Sequence, residues 1–286
     1  MTEHGAGTGV LLRAGDVMLT VDHLHGGRLA SLRIGAREVL VTEGWGPIDW
    51  GCYPMAPFAG RIRDGRFAFR GRDVQLPLNL PPHAIHGTVF ERPWAVASQA
   101  DDRLVLTTDL GPAWPFRGKV SQSISLSPGG LEATLALEAD EAMPAALGWH
   151  PWFRRYLGDP LDAKGAAGEE VELVVDAASM YERGADGLPT GALVPPGPRP
   201  WDDAFTRLRT SPIVRWPRAL EIALTSTAAV WVVYDERAEG VCVEPQTAPP
   251  DAINLATAVG QEPDVADGDR PMSASMAWRW RELRGD

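Results

Sequence analysis

Residues 119–137 read KVSQSISLSPGGLEATLAL. Lys119 to Leu126 and Leu131 to Leu137 each alternate apolar with polar or small residues at period two, and Pro128-Gly129-Gly130 between them is a strong hairpin signal. Shorter runs of the same kind lie on both sides. Upstream are Val17 to Val21, Leu29 to Ile34 and Leu104 to Thr108, with Gly26-Gly27 supplying a turn between the first two. Downstream are Val171 to Val175, Leu220 to Thr225, Val230 to Tyr234, Val241 to Glu244 and Met272 to Trp280. Arg66 to Arg70 alternates as well, and after the turn chemistry of Gly71-Arg72-Asp73 the pattern resumes at Val74, which predicts a second hairpin. Sustained 3.6-residue periodicity appears nowhere, so helices are expected to be minor. The 30 glycines and 25 prolines exceed the usual ~12% share of the two types and fall between the short strands, as a many-stranded sandwich requires. These features predict an all-β chain folded as one large antiparallel β-sandwich domain spanning residues 1–286. No Ser/Gly linker divides the sequence, and no repeat suggests a propeller or solenoid.

Composition narrows the function. Forty-four per cent apolar residues can fill a sizeable core, and a net charge of −11 disfavours nucleic acid and anionic membranes as partners. No apolar run approaches the ~18 residues of a membrane span, and the opening MTEHGAGTGVLLRAGD lacks the basic start and apolar core of a secretory leader. A cytoplasmic location without membrane association is the expectation. Cys52 and Cys242 are too few for a disulfide framework and read as small buried apolar residues.

The chemistry-bearing residues concentrate first in the stretch from Pro54 to Trp94. It combines Arg61, Arg63, Arg66, His83 and His86 with Phe67, Phe69 and Trp94, a mixture of donors and ring faces that suits a small polyhydroxylated ligand. Arginines are ordinarily solvated, but Arg61 sits among Ala56-Pro57-Phe58-Ala59-Gly60 and Ile62 and needs a specific partner. Pro81-Pro82 stiffens the chain before the two histidines, and Gly87 allows close backbone approach or positive φ. His23-Leu24-His25 would place two rings on one strand face as in cupins, yet no carboxylate follows until Glu38, so no metal is expected there. Three further places carry possible chemistry. His150 is framed by Trp149, Trp152 and Phe153, a setting that also suits a core histidine. In Val241 to Gln246, period two puts Cys242 and Glu244 on the face opposite Val241 and Val243, and burial there would raise the carboxyl into the range of a useful base. Trp201-Asp202-Asp203 by itself reads as a turn or helix N-cap.

Taken in order, Pro57 to Ile62 with Gly65, His83 to Gly87, His150 to Phe153, Asp202 to Phe205, and Val243 to Thr247 with Asp251 to Asn254 resemble the motifs of the aldose 1-epimerase (galactose mutarotase-like) family, and Gly26 to Leu32 looks like its opening hairpin. The resemblance implies a β-supersandwich whose concave face holds one sugar, with no metal or organic cofactor. It implies interconversion of α and β anomers by ring opening and closure, with Glu244 as general base, His150 as general acid, and Arg61, His86 and Asp202 as hydroxyl ligands. Trp149, Trp152 or Phe153 would cover the apolar face of the ring. Gly60 stands where the family commonly has asparagine, and Val230 to Tyr234 lacks a glutamine found in the mutarotases proper. Hexose-6-phosphate 1-epimerases resemble the same pattern, in which case Arg63 or Arg66 would meet the phosphate. A non-catalytic sugar-binding protein on this scaffold is a second reading, against which the retention of both Glu244 and His150 speaks. A metal enzyme recruiting His83, His86, His150 and Glu244 is a third. A monomer and a homodimer are both compatible with the sequence.

Overall fold

A computed structural model of the chain describes residues 9–157 and 169–283; residues 1–8, the start of the stretch read for a leader, lie outside them. Among the described residues two antiparallel sheets dominate. The first has 11 strands, running from Val10–Ala14, Val17–Asp22 and Arg28–Ile34 through a central group to Pro189–Val194 at the far edge, with Arg37–Glu38 beside Arg28–Ile34. The central group carries the site and is labelled in chain order: β1 (Cys52–Met55), β2 (Gly148–Arg154), β3 (Ala177–Arg183), β4 (Asp202–Leu208), β5 (Val230–Tyr234) and β6 (Gly240–Gln246), lying side by side as β1-β2-β6-β5-β4-β3. The second sheet has eight strands, in the order Ala95–Gln99, Arg103–Asp109, Gly118–Ser127, Gly130–Ala139, Met272–Glu282, Leu220–Ser226, Ile213–Trp216, Glu172–Val174.

The alternation seen in the sequence decides which faces meet. Val120, Ile124, Leu126, Leu131, Leu135, Leu137 and Trp278 of the second sheet turn inward onto Leu19, Leu29, Leu32, Trp149, Phe153, Val241 and Val243 of the first, all in one buried cluster. The Gly118–Ser127 strand pairs with Gly130–Ala139 from Gly118↔Ala139 to Ser127↔Gly130, which leaves Pro128 and Gly129 as the hairpin loop. Gln122 occupies an inward position among these apolar residues and is fully buried, yet both ends of its amide are paired. Its Nε2 donates to Gly27 O (2.6 Å) and its Oε1 accepts from Trp149 Nε1 (3.0 Å). The residue preceding His150 is thereby tied to the opposite sheet.

The predicted hairpin after Arg66 forms as Arg66–Phe69 against Arg72–Gln75. Asp202 and Asp203 correct the sequence reading: they begin the strand β4, opposite Tyr234 and Val233, and cap no helix. The described residues contain one α-helix, Ala252–Ala258. The buried Asp251 before it accepts from the Arg63 backbone N–H (3.0 Å), its own N–H donates to Arg61 O (2.7 Å), and Asn254 Nδ2 donates to Arg66 O (2.9 Å). This turn therefore holds the arginine-bearing segment in place. No helix among the described residues is long and apolar enough to cross a membrane.

Candidate active site

The first sheet presents one face to a cavity of about 330 Å³, at the lower end of the ~300–1,000 Å³ typical of small-molecule sites. Arg61, His86, His150, Asp202 and Glu244 all line it. Glu244 arrives because period two along β6 turns Val241 and Val243 into the core and Glu244 outward. Antiparallel pairing of β2 with β6, in the register Gly148↔Gln246 and Trp152↔Cys242, puts His150 beside it. Glu244 Oε1 and His150 Nε2 are 3.2 Å apart, close enough to share one proton, and both residues are buried. The imidazole stacks on Tyr53 (centroids 4.8 Å, 18° between planes) and on Trp152 (5.5 Å, 26°) and meets His86 edge-on at 4.8 Å. Its orientation is thus set by packing.

His86 enters on a loop whose geometry depends on Gly87. That glycine has φ of +79°, and a Cβ there would lie 2.0 Å from Ala56 O. His86 itself has φ of +61°, and its N–H donates to Gly60 O (2.9 Å). Gly60, at φ +68°, adopts the left-handed conformation that glycine and asparagine tolerate best. Arg61 finds its partner in Asp202 (Nη1 to Oδ2, 3.5 Å), while Asp203 lies 3.5 Å from Arg183 Nε. Both aspartates line the cavity, and Asp202 is the one that faces Arg61.

Burial governs the protonation of the central pair. It pushes the Glu244 carboxyl well above the ordinary range, opposed by the hydrogen bond from Gln246 and by Arg61 and reinforced by Asp202. It pushes His150 down to about 3, helped by Arg28 and Arg61, and His86 well below the usual imidazole value, helped by Arg61. Both directions favour an uncharged pair holding a single proton between Oε1 and Nε2.

Four buried side-chain atoms among the described residues have no hydrogen-bond partner: His86 Nδ1, Arg92 Nε, His150 Nδ1 and Gln246 Oε1. Three of the four belong to residues lining this cavity. Unpaired buried polar atoms are rare in folded proteins, so their concentration around this cavity marks a polar centre without internal partners. Gln246 was not singled out by the sequence reading, although counting two onward from Glu244 places it on the same face. Its Nε2 donates to Glu244 Oε2 (3.0 Å). Tyr53, Arg183 and Tyr234 were also missed, and no local pattern marks them.

Other expectations need correction. Of the three aromatic residues around His150, only Trp152 lines the cavity; Trp149 and Phe153 belong to the core. Phe67, Phe69 and Trp94 are core residues too, Phe67 stacking on Trp114 and Phe69 meeting Phe116. His83 lines a neighbouring depression, where its Nδ1 accepts from the Asp64 N–H (3.1 Å). Arg63 lies in that depression, bound to Asp251 and Asp186, and the exposed Arg66 donates to Gln75 Oε1 (2.5 Å). Neither arginine lines the cavity of Glu244. His23 Nδ1 lies 2.9 Å from Trp94 O and His25 Nδ1 2.9 Å from Asp22 Oδ2, so both rings brace a loop. Three potential metal ligands do come together, with atoms of His150, Cys242 and Glu244 within 4.8 Å of one another, although Cys242 does not line the cavity. Burial holds the Cys242 thiol well above its ordinary value.

The sequence profile of the aldose 1-epimerase family matches residues 10–258, and the chain belongs to that family. Among curated proteins it is 34% identical to Escherichia coli (strain K12) YphB over 126 residues, which is 43% of this chain and 41% of YphB. It is 26% identical to YihR of the same organism over 158 residues, 52% of this chain and 51% of YihR. The matched segments thus span about half or less of these relatives. Among solved structures, a galactose mutarotase-like protein from Clostridium acetobutylicum superposes with a TM-score of 0.81 at 16% identity, covering 96% of this chain and 95% of the other. The GalM/aldose epimerase homologue from C. elegans gives 0.79 at 16%, covering 96% and 99%. The sandwich predicted from the sequence is the fold these proteins share.

Proposed function

We propose that the protein is an aldose 1-epimerase that interconverts the α and β anomers of a non-phosphorylated aldose. The observation that carries this reading is the Glu244–His150 pair, 3.2 Å apart at a cavity also lined by Arg61, His86 and Asp202. In the charge-separated form of the pair, the Glu244 carboxylate takes the proton of the anomeric hydroxyl as imidazolium His150 protonates the ring oxygen. The C1–O5 bond breaks, leaving an open-chain aldehyde with the pair uncharged, which is the state that burial favours. After rotation about C1–C2, His150 takes the proton of the C5 hydroxyl and Glu244 returns one to the aldehyde oxygen, closing the ring on its other face. Protons balance over the cycle, and neither residue leaves with a net change. Arg61 offers forked donors and Asp202 paired acceptors to the sugar hydroxyls, and the indole of Trp152 offers an apolar surface.

Two observations set the alternatives lower. A pure sugar binder needs no acid and base within proton-transfer distance. A phosphorylated sugar is disfavoured because Arg63, in the depression that adjoins the cavity at Arg61 and Asp202, is bound to Asp251 and Asp186, and the exposed Arg66 is bound to Gln75. The test is an NMR exchange or polarimetric assay of α-anomers of common hexoses and pentoses. Glu244→Gln keeps the shape of the side chain but cannot accept a proton, so kcat for a sugar that the unmodified protein turns over should fall by about 10²–10⁴, with affinity little changed. Near-normal exchange in that variant would remove Glu244 as the base.

A further inference from the structure

Cys242 has no part in the proposed proton transfer, yet the sheet places it beside the pair. Period two along β6 puts it on the same face as Glu244, and the register Trp152↔Cys242 makes it the diagonal neighbour of His150 across β2 and β6. One ligand atom from each of His150, Cys242 and Glu244 falls within 4.8 Å of the other two. Among the described residues no other three histidine, cysteine or acidic side chains converge in this way.

These donors form a set that zinc takes. Zinc binds thiolate sulfur at about 2.3 Å and imidazole nitrogen or carboxylate oxygen at about 2.0 Å, so a tetrahedral ion holds its ligand atoms about 3.3–3.6 Å apart. Glu244 Oε1 and His150 Nε2 already stand at 3.2 Å. Bringing the sulfur to the same spacing takes a movement of about 1 Å, which a modest turn about the Cys242 Cα–Cβ bond supplies. Charge fits as well. The ion replaces two protons, the one shared between Oε1 and Nε2 and the one on sulfur, and both leave to solvent. A doubly positive ion between a thiolate, a carboxylate and a neutral imidazole keeps the buried cluster neutral. Tyr53 and Trp152 fix the plane of the imidazole, and Gln246 donates to Glu244 Oε2, which leaves Oε1 for the ion.

We infer that His150, Cys242 and Glu244 form a binding site for Zn²⁺, and that the ion inhibits the protein by taking the place of the proton that Glu244 and His150 exchange with a sugar. The inhibition rests on the epimerase reading; the binding does not. His150 and Glu244 line the cavity and the fully buried Cys242 does not, so the ion enters from the cavity and its fourth position faces back into it. Mg²⁺ and Ca²⁺ prefer oxygen ligands alone and are poor occupants.

The test titrates Zn²⁺, Mg²⁺ and Ca²⁺ into an anomer-exchange assay of the unmodified protein, Cys242→Ala, Cys242→Ser and Cys52→Ala. In parallel, Co²⁺ stands in for zinc and is followed by its thiolate-to-metal absorption in the near ultraviolet. Zn²⁺ should inhibit the unmodified protein below about 1 mM and be reversed by chelator, whereas Mg²⁺ and Ca²⁺ at that concentration should not inhibit. Either Cys242 variant should keep metal-free exchange within about twofold and raise the inhibitory zinc concentration at least about 10-fold, since even an outer-shell partner contributes that much. The cobalt absorption should appear in the unmodified protein and in Cys52→Ala, and vanish in both Cys242 variants. Equal zinc sensitivity in all four proteins, cobalt bound without thiolate absorption, or absorption lost in Cys52→Ala would overturn the site and leave the epimerase reading standing. Absorption that depends on Cys242 without inhibition by zinc would overturn the inhibitory role. Absence of any anomer exchange would instead remove the epimerase reading, and the dependence of the cobalt absorption on Cys242 would then decide the site.

Discussion

Replacing Gln246 by Met isolates a bond on which the proposed base, Glu244, depends. Methionine preserves an unbranched chain of similar length in a tight space, since a Cβ on Gly148 would already lie 3.2 Å from Gln246 Cγ. What it removes is the donor from Nε2 to Glu244 Oε2 at 3.0 Å. That bond favours the charged carboxylate and opposes the upward push of burial, so without it Glu244 holds its proton to higher pH. A hydrogen bond to a charged group contributes about 1.5–3 kcal/mol, which corresponds to a loss of about 10- to 100-fold in the ionised fraction on the acidic side of the titration. In an anomer-exchange assay, kcat should therefore fall by that order across the pH plateau, because moving the shared proton from His150 to Glu244 leaves the number of protons on the pair unchanged. Sugar affinity, measured by NMR titration, should change little. Near-normal kcat, or a loss carried by affinity alone, would refute the reasoning.

Stability should depend on the buried histidines. His86 and His150 have depressed folded-state pKa values, so their contribution is complete above the unfolded value near 6.5 and is lost as pH falls. Urea unfolding should show His86→Asn with a shallower decline between pH 6 and pH 4 than the unmodified chain, by up to ~1.4 kcal/mol per pH unit; identical slopes would contradict the burial of an uncharged ring. Gly87→Ala should lower the unfolding free energy from urea titration by more than the ~1–2 kcal/mol of a left-handed residue alone, because its Cβ would meet Ala56 O, and an unchanged free energy would mean that this loop relaxes freely. Anomer exchange should survive excess chelator. Its loss there would recast an ion held by His150, Cys242 and Glu244 as a cofactor.

Strand-forming segments with one wet face were legible from residues alone. Leu104 to Thr108, Lys119 to Leu126 and Leu131 to Leu137 alternate because one side of the second sheet faces solvent. β1 and β2 escaped the period-two reading for the converse reason. Nearly every residue in them is buried on both faces, between the core and the cavity, so Cys52 to Met55 and Gly148 to Arg154 show no alternation. Asp202 and Asp203 have the local signature of a cap, and only pairing with Val233 and Tyr234 makes them a strand. The ordered motifs identified Arg61, His86, His150, Asp202 and Glu244 as residues to watch, since residue type and spacing survive in a one-dimensional string. That His150 and Glu244, 94 positions apart, lie 3.2 Å from each other follows from the register of β2 on β6, and register is decided by which faces the whole sheet can bury. The protonation of the pair and the unpaired amide end of Gln246 are likewise properties of solvent exclusion. No residue determines its own solvent exclusion; the packing of distant segments around it does.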